Sequence, residues 1–74
     1  MKIKSVTPKW NQRGEWWLIR SDEEGAKAMA TSNMFHAALA ERARDSQQEV
    51  RVLISNGWFY SDLDHIELVH EPTT

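Results

Sequence analysis

The stretch Val50-Arg51-Val52-Leu53-Ile54-Ser55-Asn56-Gly57-Trp58-Phe59-Tyr60-Ser61, followed by Leu63-Asp64-His65-Ile66-Glu67-Leu68-Val69, decides how this chain is read. Two apolar runs flank an Asn-Gly pair, a strong hairpin signal because both residues tolerate positive φ. Val50, Val52 and Ile54 alternate with Arg51, Leu53 and Ser55, the period-2 pattern of a strand. The second run places Asp64, Ile66, Leu68 and His70 on one face and His65, Glu67 and Val69 on the other. Three consecutive aromatics directly behind the turn must either close a small core or present a contact platform.

Upstream of this hairpin, residues 33–46 carry the clearest helical pattern. Phe35, Ala38, Leu39 and Arg42 follow the i, i+3, i+4, i+7 spacing of one face, with Met34 and Ala37 widening it. Thr31 or Ser32 can serve as N-cap. Residues 26–30 are read as a short third strand. Glu15-Trp16-Trp17-Leu18-Ile19-Arg20 is a second strand, apolar on both faces: Trp16 with Leu18, Trp17 with Ile19. Residues 2–10 form the first. There Ile3 and Val6 differ in parity, so a bulge or bend is needed to bring both to one side, and Pro8 fits an edge or strand end. Acidic and polar turns separate these strands.

Seventy-four residues make one domain, here 1–70 with a short tail at 71–74, and a core near the lower limit for independent folding. Four tryptophans matter at that size, since each can bury on the order of 150–250 Å². With no cysteine there is neither a disulfide framework nor a thiolate metal site. No apolar run is long enough to cross a membrane, so no membrane insertion is expected. The expected location is cytoplasmic, or secreted or periplasmic if a leader was removed. The formal net charge of −2, with mixed signs along the chain, disfavours generic phosphate binding, although Lys2, Lys4 and Lys9 make the first strand locally basic.

Strand, strand, short strand, helix, strand, strand is the element order of an OB-fold, a small partly open Greek-key barrel. One helix would plug its end with Phe35, Ala38 and Leu39 facing in. The alternative is an α+β open antiparallel sheet with one packed helix. The run Thr31-Ser32-Asn33-Met34-Phe35-His36-Ala37-Ala38-Leu39-Ala40, then Val50-Arg51-Val52, Gly57, Tyr60-Ser61-Asp62 and Ile66-Glu67-Leu68 resembles small bacterial OB-fold proteins related to AB5-type toxin B subunits, such as the subtilase cytotoxin B subunit. The resemblance spans roughly residues 15–69. It implies a barrel, a tendency to form rings and, in the toxin members, glycan recognition; no sugar-binding residue carries over.

OB-folds commonly bind ligands on strands two and three, between the loops joining strands one–two and four–five. Those loops correspond here to residues 8–14 and 55–62, which hold Trp10 with Arg13 and Trp58, Phe59 with Tyr60. Strand two adds Trp16 or Trp17. Flat rings suit stacking, and Arg supplies a donor fork or a cation–π contact. The candidate binding residues are therefore Trp10, Arg13, Trp17, Trp58 and Tyr60. Trp16, Trp17 and Phe59 have apolar neighbours that equally suit a core, and Phe59 is expected to point inward. His36, His65 and His70 lack metal-ligand spacing, and Asp62 with Asp64 reads as an acidic strand entry that blunts an edge. No nucleophile elbow, phosphate loop or dinucleotide fingerprint occurs, so no cofactor, metal site or enzymatic activity is expected. The expected function is a non-enzymatic binding module that engages a protein partner, or forms a homo-oligomer, through aromatic loops and a strand edge. A small phage-encoded or bacterial regulator would fit. The alternatives are a glycan-binding, toxin-B-like subunit and a single-stranded nucleic-acid binder.

Overall fold

The computed structural model describes residues 1–69; His70 and the expected tail at 71–74 lie outside the described residues. The chain is mainly β with one helix, in the order β1 (Ile3–Asn11), β2 (Gly14–Ser21), β3 (Met29–Thr31), α1 (Met34–Ser46), β4 (Val50–Ser55) and β5 (Ser61–Leu68). The five strands form one mixed sheet in the spatial order β1-β2-β3-β5-β4. All neighbours are antiparallel except β3 and β5, which run parallel through Met29↔Ser61 and Ala30↔Asp62. The sheet is not closed. Among the described residues its outer strands meet only beside Met1, through the bridge Lys2↔Glu49. There the Val50 amide donates to the Met1 carbonyl at 2.7 Å, and the amino terminus donates to the Val50 carbonyl at 3.2 Å.

Two register shifts curve the sheet. Ile3 pairs with Ser21 and Ser5 with Arg20, so Lys4 is the extra residue, and Ile3 and Val6 are both buried as their parity required. On β5, Leu53 pairs with His65 and Ile54 with Leu63, leaving Asp64 unpaired. Leu63 and Ile66 therefore both face the core, while Asp64 and His65 are both exposed. Strict alternation through residues 64–69 fails at that bulge.

The helix corrects two expectations. Its N-cap is Asn33, whose side chain accepts from the amides of Phe35 and His36; Thr31 ends β3 instead, its hydroxyl accepting from the Asn33 amide. The buried face is Ala37, Ala40 and Ala43 rather than Phe35, Ala38 and Leu39. Phe35 is 78% exposed and Leu39 only packs at the margin of the core. Small side chains let the helix lie close to the sheet, and that gain in packing outweighs burying the larger Phe35 and Leu39. The core joins Ala40 and Ala43 to Ile3, Val6, Ile19, Met29, Val50, Leu63 and Ile66. The helix ends at Gln47, in the left-handed region at φ 57°, where its amide reaches the carbonyls of Ala43 and Arg44.

The Asn56-Gly57 pair does bridge two antiparallel strands, but not as a positive-φ turn. The positive-φ glycines are Gly14 and Gly25. Gly57 is required for another reason: a Cβ there would collide with the Tyr60 carbonyl oxygen. The loop 56–60 is thus folded tightly on itself. The short third strand lies at Met29–Thr31, later than residues 26–30, because it is anchored by pairing with β2 and β5 rather than by alanine content.

Candidate functional site

Alternation along β2 sends its two apolar pairs to opposite faces. Trp17 and Ile19 face the helix side, where Ile19 is wholly buried and Trp17 packs against the core. Trp17 is therefore a core-side ring, whereas Trp16 is on the face that borders open space. Trp16 lies there with Leu18, which is buried outside the core cluster, and its ring meets Tyr60 at 5.9 Å with a 40° tilt.

Trp16 also borders a cleft of about 620 Å³ between the β1–β2 turn, the junction of β3 with α1, and the start of β5. The turn is Gln12-Arg13 alone, since Asn11 pairs with Gly14; the Asn11 side chain accepts from the Arg13 amide at 2.8 Å, and Gly14 sits at φ 113°. From β3 and the helix cap come Thr31, Asn33 and His36; from β5 come Asp62 and Asp64. Asp64 accepts from the Ser55 hydroxyl at 3.4 Å. The expectation that Asp62 and Asp64 blunt a sheet edge fails, because β5 lies inside the sheet between β3 and β4.

Charged lining residues are Arg13 against Glu15, Asp62 and Asp64, an excess of negative charge. None of these four forms a salt bridge among the described residues. Two buried nitrogens of cleft-lining residues, Trp16 Nε1 and His36 Nδ1, have no hydrogen-bond partner among the described residues. Groups of this kind ordinarily carry one, because an unsatisfied buried donor costs about 1–3 kcal/mol. His36 meets His65 edge-on at 6.1 Å. Among the described residues no group of three or more His, Asp or Glu is arranged to hold a metal ion.

The five sequence candidates therefore separate. Arg13 lines the cleft, and Tyr60 leans on its Trp16 wall. Trp10 and Trp58 stand outside it, 78% and 97% exposed. Phe59, expected to point inward, is 81% exposed, since the tight loop turns Tyr60 rather than Phe59 toward the sheet. His36 and Trp16 as joint walls were not readable from spacing, because β3 brings the helix cap beside β2 only through pairing. Among the described residues no helix is long and apolar enough to cross a membrane. Comparison with protein-family models, curated proteins and solved structures finds no match.

Proposed function

We propose that this chain is a non-enzymatic binding module with an OB-like, partly open barrel, engaging a protein partner, or a second copy of itself, through aromatic loops and a strand edge. The observation that carries the reading is the rings held out to solvent on a tightly built frame, Trp58 and Phe59 above all. Monomeric proteins rarely leave such surface uncovered, and aromatic side chains are favoured anchors in protein interfaces. The barrel reading is supported by the strand order, the parallel β3–β5 pair and the contact of β1 with β4 at Met1. The cleft beside Trp16 suits a basic side chain of the partner, because its carboxylates outnumber Arg13.

The same excess of carboxylates opposes a phosphate backbone, which weighs against the nucleic-acid reading. The glycan reading rests on the resemblance to toxin B subunits. A titration followed by tryptophan fluorescence tests the proposal. Short single-stranded oligonucleotides at low salt should leave the emission unchanged, and quenching that falls steeply with added salt would replace protein binding by nucleic-acid binding. In a cross-linking pull-down, Trp58→Ala should lose the protein captured by the wild type while melting at the same temperature; unchanged capture would remove Trp58 from the contact surface.

A further inference from the structure

The two outer strands of the sheet are protected very differently. β1 carries a bulge at Lys4, then Pro8 and Lys9, all devices that discourage another strand from pairing. β4 reads Val-Arg-Val-Leu-Ile-Ser, without proline or lysine, and its Arg51 is occupied at 3.7 Å by Glu67 of the neighbouring strand. Leu53 and Ile54 are exposed on it. Beyond Val50 this edge has no partner strand among the described residues.

Backbone alternation defines what the free edge can accept. The Val69 amide bonds the Glu49 carbonyl, so Glu49, Arg51 and Leu53 direct their main-chain groups toward β5. Val50 directs its groups outward, where Met1 takes them. Val52 and Ile54 follow the same parity as Val50 and are left open among the described residues.

We infer that β4 pairs with β4 of a second copy of this chain, antiparallel and centred on Leu53, joining two sheets into one. This rests on the reading of the β4 edge as an interaction surface. In that register Val52 faces Ile54 of the second copy, and each such pair exchanges two N–H···O bonds. Centring on Val52 instead would require displacing Met1 from Val50, and centring on Ile54 would run the pairing into the loop at Asn56. In the Leu53 register the pairing ends at Ser55, where the strand itself ends. Arg51 lies opposite Ser55, so no like charges are opposed. The half-buried Val52 covers the exposed Ile54 of the other copy, extending the apolar inner face across the join. The two Leu53 side chains meet on the outer face as a non-hydrogen-bonded pair, the closest type of cross-strand contact.

The absence of cysteine allows a clean test by single-cysteine cross-linking. Leu53→Cys places two thiols in a pair whose Cα atoms are about 4.5 Å apart, within disulfide reach. Arg51→Cys places them four residues apart along the strands, roughly 13–14 Å, and out of reach. Under mild oxidation Leu53→Cys should run mostly as a dimer and Arg51→Cys as a monomer. Equal cross-linking of the two, or none in Leu53→Cys, overturns the inference. Sedimentation of the cysteine-free chain should show a dimer that Ile54→Pro abolishes by deleting one outward amide. A monomer at every concentration overturns the pairing while leaving the Trp58 pull-down to decide the wider reading independently.

Discussion

On β2, Trp17 and Ile19 turn to the helix side of the sheet, while Trp16 and Leu18 turn to the side that meets Tyr60 of the β4–β5 loop. By composition the two faces are nearly equal. Their fates differ because the first meets Ala40, Ala43 and the bulged strands, and the second meets one short loop and an open cleft. A doubly apolar strand in a small domain thus supplies one face to the core and one to a cleft, with the covering element deciding which is which.

Ile19→Ala tests the core face and should have the largest effect, a loss of about 2–5 kcal/mol in denaturant unfolding. A loss well under 1 kcal/mol would mean the two faces share the core. Gly57→Ala tests the loop over the other face. The added methyl collides with backbone, so Tyr60 must move off Trp16, and a loss of about 1–3 kcal/mol is expected. That loss should come with a changed Trp16 environment in near-ultraviolet circular dichroism, and an unchanged spectrum would show that Tyr60 is not held by the loop. Trp16→Phe should have the smallest effect, within about 1 kcal/mol, because the ring area given up is offset by removing a buried N–H without a partner. A loss above roughly 2 kcal/mol would reveal that Nε1 is bonded in solution.

Much of the frame was legible. The element order, the bulge between Ile3 and Val6, the β1–β2 turn and the pairing of β4 with β5 follow from local alternation and turn residues. The candidate cleft was legible only in part. Loop position brings Arg13 to its lining and Tyr60 beside Trp16, whereas Trp16 and Trp17 cannot be told apart from sequence, since neighbouring residues of one type carry no mark of which side a helix will cover. The buried helix face differs from the expected one for a related reason: Phe35 and Leu39 are more hydrophobic than Ala37, Ala40 and Ala43, but close approach to the sheet favours the smaller residues.

By itself, the sequence determined that this chain is mainly β with one helix, carries mixed charge and holds more aromatic surface than its turns can hide. Local backbone preference and side-chain period are enough for that. Only the tertiary structure decided that β5 lies inside the sheet and that β4 is left at its edge. It also decided that Asp62, Asp64, His36 and Trp16 share one cleft. The parallel pairing of β3 with β5 joins residues some thirty positions apart, and no local pattern in either strand encodes that contact.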